Sequence, residues 1–327
     1  MRFVIVVMVA SLSRAIFAQD AGDFSSDVDV AINRGLSFLA KDATEWKRDH
    51  QCASCHHAAL VVWAMAEAKQ RQRTIDEPVL AELTKWIAES GDGKTSVPRP
   101  STAPRALNTK AVYFALALGA NPSPDSVSRK GLTQLLTTVK EDQLDDGSWA
   151  SWPETRPPFF GHSDERMTAL ATLVMIIADS NDSSLQLVRD KGIRWLNETK
   201  TDDDPQSIAL RLVLWQRIGR PANELGPLSD RIQQRQNEDG GWSQAPEMPS
   251  DSWATGQALY ALSHAGIKAD TPTVARAHRF LVKTQRENGS WQMTSRPSTL
   301  GGAGSNSLVP VTGAGTAWAI LGLVRSQ

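Results

Sequence analysis

Gln143-Leu144-Asp145-Asp146-Gly147-Ser148-Trp149, Gln236-Asn237-Glu238-Asp239-Gly240-Gly241-Trp242 and Gln285-Arg286-Glu287-Asn288-Gly289-Ser290-Trp291 share one spacing, Q-x3-G-x-W. Self-similarity of this kind marks a repeat architecture. Each copy follows a segment of helical periodicity and precedes, after a loop of variable length, a segment rich in Ala and Leu. Asp or Asn ahead of Gly suits a left-handed turn at a helix end. The glutamine amide is then placed to satisfy open backbone groups, and the indole to pack on the neighbouring unit. Tryptophan usage agrees with placement by a motif: 11 Trp stand against 8 Phe and 2 Tyr.

Working outward, the same two-helix unit continues where the motif has decayed. Amphipathic, outer-type helices are predicted near Asp27 to Ala40, Glu77 to Ser90, Pro124 to Lys140, Ser184 to Thr199, Ala222 to Arg235 and Thr271 to Thr284. Inner-type helices, apolar on all sides and so destined for burial, are predicted near Ser54 to Gln70, Pro104 to Ala120, Ser163 to Ala178, Pro205 to Ile218, Ser250 to Ala265 and Val311 to Arg325. Val and Ile fall at helical spacing and do not alternate, so no strand is expected. The fold class is all-α, in six helix pairs.

The 327 residues carry 35 Lys+Arg against 36 Asp+Glu, a formal charge of -1. That balance excludes a nucleic-acid binder working through a basic surface and an acidic disordered chain. Two cysteines exclude a disulfide-stapled scaffold. Arg2, the apolar run Phe3 to Leu12 and the small-residue site Ala15-Ile16-Phe17-Ala18 read as an export signal over 1–18, with an uncleaved anchor as the alternative. The mature chain, 19–327, is then one soluble domain, exported to the periplasm or beyond, with no membrane span.

Six helix pairs with Q-x3-G-x-W at their turns resemble the (α/α)6 toroid of the squalene-hopene cyclase and protein prenyltransferase superfamily, whose tryptophan repeats have this form. The likeness covers essentially the whole mature chain. It implies a closed ring and an apolar, isoprenoid-like ligand in the ring centre. Activity does not follow from it, because one fold hosts unrelated chemistries.

Cys52-Ala53-Ser54-Cys55-His56-His57 contains C-x-x-C-H, the attachment sequence of c-type haem. Two thioethers and a proximal histidine would make Cys52, Cys55 and His56 the site of haem c. On a helix the same three residues form one stripe, suited to zinc if His162 or Asp251 reaches across the ring; the prenyltransferase likeness implies such a metal near the centre. A third reading is a disulfide or redox thiol pair, with His56 and His57 solvated.

Asp164, Glu165, Asp203 and Asp251 stand at the starts of inner helices and are candidate catalytic acids on a shared cavity rim, with His162 beside them. Capping of backbone amides is the competing role, strongest for Asp204 ahead of Pro205. The D-x-D-D acid motif of class II terpene cyclases is missed, since Thr201 precedes Asp202-Asp203-Asp204. Trp63, Tyr113, Trp215, Trp253 and Tyr260 are candidate lumen aromatics. The glycine-rich stretch from Met293 to Ser305 is a connection into the last inner helix, and His264 and His278 are structural. Two functions remain: a haem- or metal-bearing ring acting on an apolar molecule, and a non-catalytic toroidal binding module.

Overall fold

Asp76, Asn108, Asp125, Ser163, Asp204 and Asp251 each accept the backbone N–H of the residue three positions on, and each marks the start of a helix. The computed structural model describes residues 4–50, 53, 55–90, 106–151, 163–293 and 308–327. Cys52, His162 and the glycine-rich stretch from Thr294 onward lie outside them.

Twelve α-helices are formed among the described residues. Six are amphipathic: α1 (Val4–His50), α3 (Glu77–Glu89), α5 (Ser126–Glu141), α7 (Ser183–Glu198), α9 (Ala222–Gln234) and α11 (Pro272–Thr284). Six alternate with them and are buried nearly all round: α2 (Leu60–Gln70), α4 (Thr109–Gly119), α6 (Asp164–Ile177), α8 (Pro205–Arg217), α10 (Ser252–His264) and α12 (Leu308–Ser326). Two-residue strands β1 (Trp242–Ser243) and β2 (Ser250–Asp251) pair ahead of α10.

Each inner helix packs on the next, α2 on α4 through to α10 on α12, and α12 returns to α2, so the inner layer is a closed ring. The repeated motif is what binds one unit to the next. The amide nitrogens of Gln143, Gln236 and Gln285 donate to their own motif glycine carbonyls and to the carbonyls of Val188, Thr273 and Ala31, on the following outer helix, at 2.8–3.0 Å. Gly147, Gly240 and Gly289 have φ of +94°, +88° and +88°, and a Cβ there would strike the backbone carbonyl of Lys191, Arg276 or Arg34 on that same helix. Both the turn and the close approach therefore require glycine. The third tie runs from α11 to α1 and joins the two ends of the ring.

The indoles of Trp149, Trp242 and Trp291 are buried and donate to the carbonyls of Val139, Ile232 and Leu281 at 2.7 Å. Their backbone N–H groups donate to Thr168, Thr255 and Thr316 of the next inner helix, all at 3.0 Å. One motif residue thus holds the outer and inner layers of its repeat together.

The first outer helix is longer than its sequence pattern. It runs for 47 residues from Val4 and does not start near Asp27. Between Val4 and Asp27 there is no proline and one glycine, Gly22, so nothing breaks the helix. Among the described residues no helix is long and apolar enough to cross a membrane.

Candidate functional site

The C-x-x-C-H segment lies in the turn between α1 and α2. Cys55–Ala59 form one π-helical turn ahead of α2, a widened geometry frequent at functional sites. His57 within it is buried at 1% exposure. Its imidazole stacks on Trp46 at 3.9 Å, and His50 stacks on the same indole at 3.7 Å, with interplanar angles of 2° and 7°. Two parallel rings this close to one indole cannot share a face, so Trp46 is held between the two imidazoles. Asp42 Oδ2 approaches His57 Nε2 at 3.5 Å, an ion-pair distance and long for a hydrogen bond. Burial, with Glu45 adding to it, pushes the Asp42 carboxyl up to about 6. His57 is therefore a packed residue and not the solvated one of the thiol-pair reading, because the rings on α1 cover it.

Among the described residues no three His, Cys, Asp or Glu gather in a way that could hold a metal. Cys52 and His162, two members of the zinc set, lie outside that description.

The acidic residues at the inner-helix starts each have a separate partner. Glu165 is almost fully buried; its Oε1 accepts from Arg211 Nε and Nη2 at 3.0 and 2.5 Å, and its Oε2 from the backbone N–H of Asp202 at 2.6 Å. Burial raises the Glu165 carboxyl, opposed by that hydrogen bond and by the charge of Arg211. Asp203 is exposed and pairs with Arg231 and Arg235, which hold its carboxyl below the usual range. Asp251 caps α10 through Ala254 N at 2.9 Å and accepts from Gln244. Asp164 accepts the backbone N–H of Ser151 at 2.7 Å. Asp204 caps α8, as its position before Pro205 predicts.

Among the described residues the ring centre holds an aromatic cluster. Trp63, Trp253, Tyr260 and Trp318 meet edge-to-face, with centroids 5.2–5.9 Å apart. Two voids of about 20 and 10 Å³ remain between the described inner helices, sharing Ala209 and Gln257 as walls. Each has room for about one water, against the several hundred Å³ of an ordinary ligand pocket. Trp215 is not in this cluster: Arg211 and Arg220 lie over its ring at 5.2 and 5.1 Å. Tyr113 is buried in α4. Trp318 was missed in the sequence, although Ala317-Trp318-Ala319 lies in a segment of inner-helix composition. Arg211, 46 positions from Glu165, left no local signal. His278 is structural, bonded to Ser326 Oγ at 2.7 Å, and burial lowers its imidazole to about 4.

The prenyltransferase alpha-alpha toroid domain model matches residues 31–207, more than half of the chain. The squalene-hopene cyclase N-terminal domain model matches residues 177–285. No curated protein matches the sequence. Among solved structures, a single-substitution variant of type II terpene cyclase MstE from Scytonema in complex with geranylgeranyl dihydroxybenzoate is similar, with a TM-score of 0.60 and 15% identity over 93% of this chain and 98% of that one. Apo MstE is similar at a TM-score of 0.58 and 15% identity, over 91% and 98% of the two chains. At this identity the likeness is one of fold.

Proposed function

The chain belongs to the prenyltransferase alpha-alpha toroid domain family, and from that premise we propose that it is an exported ring protein whose chemistry sits at the C-x-x-C-H turn, with the ring as scaffold. The observation that supports the scaffold role is the aromatic cluster among the described residues of the ring centre, beside which lie two voids of about 20 and 10 Å³. The four acidic residues proposed as catalytic have the structural partners described above, and Asp203, inside the closest approach to D-x-D-D, is solvated.

By its chemistry the donor set fits haem c: the thiols of Cys52 and Cys55 would hold it through thioether bonds and the His56 imidazole would ligate its iron. Bound there, the group would supply one-electron transfer. The chain's own contribution beside the motif is His57, packed against Trp46, and the π-helical turn that runs into α2. Export agrees with this reading through the apolar segment at residues 3–12. Zinc on Cys52, Cys55, His56 and His162 is the alternative cofactor.

The test is expression with export in a host that attaches haem, followed by a denaturing gel stained for haem peroxidase activity and metal analysis of the same sample. A stained band that disappears in Cys52→Ser and Cys55→Ser is expected. A colourless protein with one zinc per chain would move the assignment to zinc, and one with neither would leave a disulfide in a binding module. A second reading, an isoprenoid-like molecule held in the ring, rests on Pro205 and Arg235, which border both the larger of the two voids and an open cleft of about 860 Å³. Formation of a cyclised product from a polyprenyl substrate would favour it.

A further inference from the structure

The two voids beside the aromatic cluster share one polar wall, the amide of Gln257. Gln257 lies in the middle of α10, one turn after Trp253 and one turn before Tyr260 on the same helix face. It is 5% exposed, and its Nε2 is buried with no hydrogen-bond partner among the described residues. Turning the amide over would put Oε1 in the same place, so the need for a partner does not depend on how the group is oriented. Trp318 of α12 carries a second such group: its indole N–H is buried and has no acceptor among the described residues. The rings that meet Trp318 edge-to-face offer that N–H at most a weak π acceptor.

The voids bring these groups together. Gln257 and Trp318 both border the smaller one, of about 10 Å³, with Tyr260 and Trp63 as further walls. The larger one, of about 20 Å³, lies between α8, α9 and α10, and there Gln257 stands beside two more buried amides, Gln206 and Gln244. Gln244 donates to Asp251. The Gln206 oxygen accepts one bond, from Arg166 Nη1 at 3.2 Å, and has a second lone pair.

Native proteins leave few buried donors unsatisfied, and ordered solvent is a usual explanation. A purely apolar void of this size stays dry, whereas one with polar walls holds water when that water can make two or more hydrogen bonds. Both voids meet this condition in size and in chemistry. An amide nitrogen carries two N–H groups, so Gln257 can serve one water on each side.

We propose that the ring centre binds two ordered waters, one in each void, joined through the Gln257 amide. The water in the smaller void also accepts from the Trp318 indole, and the water in the larger void donates to the Gln206 oxygen. The aromatic cluster is then a wet core in which solvent is part of the packing. An all-hydrocarbon guest would expel both waters and leave the Gln257 and Trp318 donors without acceptors, so the centre selects against hydrocarbon and favours a guest that brings an oxygen to these donors.

The test uses the full chain and needs no cofactor at the cysteine turn, so its outcome is independent of that assignment. A crystal structure at a resolution that orders buried solvent is expected to show one peak in each void, at about 2.7–3.2 Å from the Gln257 amide. In solution, with tryptophan indoles labelled with nitrogen-15, the Trp318 N–H is expected to show a nuclear Overhauser effect to a long-lived water; Trp318→Phe assigns the signal. Gln257→Leu, which keeps an apolar side chain of similar size, is expected to lose both peaks and that effect. Voids without solvent density in the wild type, xenon entering them under pressure, or a Gln257 amide bonded directly to another protein group would each overturn the proposal. These wild-type measurements stand whether or not the Leu variant folds.

Discussion

Trp149, Trp242 and Trp291 each combine full burial with one indole hydrogen bond to the preceding outer helix and one backbone hydrogen bond to the following inner helix. Replacing any one with alanine is expected to cost about 3–5 kcal/mol, as for other buried aromatics. Phenylalanine, which keeps the apolar ring and loses the donor, is expected to cost less. Urea denaturation of the paired variants checks this, and equal losses for Ala and Phe would mean that the hydrogen bond dominates the packing. A pH dependence also belongs at this scale. Burial, with Arg325, Arg217 and Arg71 adding to it, lowers His264 from 6.5 to about 2, and burial lowers His278 to about 4. Below pH 6.5 the unfolded chain therefore takes up protons that the folded chain refuses, and stability falls with acidification. Asp42 opposes this: its folded carboxyl keeps a proton up to about 6 where the unfolded one loses it at 3.8. Glu165, which burial also raises, opposes it in the same sense; the two imidazoles are shifted further than the two carboxyls, so the unfolding free energy should still fall from pH 6.5 to pH 4, by up to about 1.4 kcal/mol per pH unit for each net proton. Denaturation across that range should show a shallower slope in His264→Gln and a steeper one in Asp42→Asn.

At the scale of elements, the seam between α10 and α12 is the closest approach in the ring. A Cβ on Gly256 would stand 2.2 Å from the Trp318 carbonyl oxygen, and one on Gly322 would stand 2.7 Å from the Gly256 carbonyl oxygen. Both obstacles are backbone, so neither can turn aside. Gly256→Ala and Gly322→Ala should separate the two helices and disturb the aromatic cluster, which Trp253, Tyr260 and Trp318 contribute from these same elements. Gly266→Ala is the control: its φ of +80° disfavours a side chain, yet nothing lies within 4 Å. That variant should lose only about 1 kcal/mol. Melting temperatures and near-ultraviolet circular dichroism distinguish the two cases, and a native tryptophan spectrum in Gly256→Ala would show that the seam can relax.

At the scale of the whole molecule, the ring depends on a tie between residues more than 250 positions apart. Gln285 donates to Ala31, Arg34 to the carbonyls of Arg286 and Glu287, and Trp291 and Ile320 press on Gly35. Gln285→Ala and Gln143→Ala remove chemically equal amides, but only the first acts across the closure. Limited proteolysis is expected to cut α1 sooner in Gln285→Ala than in Gln143→Ala. Equal protection would show that packing of α12 on α1 and α2 closes the ring without the amide.

The sequence by itself determined what depends on near neighbours. The amphipathic and apolar alternation located all twelve helices, the caps at Asp204 and Asp251 marked their starts, and the Q-x3-G-x-W spacing specified both the turn and its glycine, because helix periodicity, capping and turn strain act over a few residues. What only the tertiary structure decided depends on side chains distant in the chain. Arg211 neutralises Glu165, Trp46 covers His57 from outside the motif, and four aromatic residues from three inner helices meet in the ring centre. A lumen's width depends on the size of side chains meeting across it and on how closely Gly256 and Gly322 let two helices approach. That sum over non-local contacts leaves no periodic trace in the order of the residues.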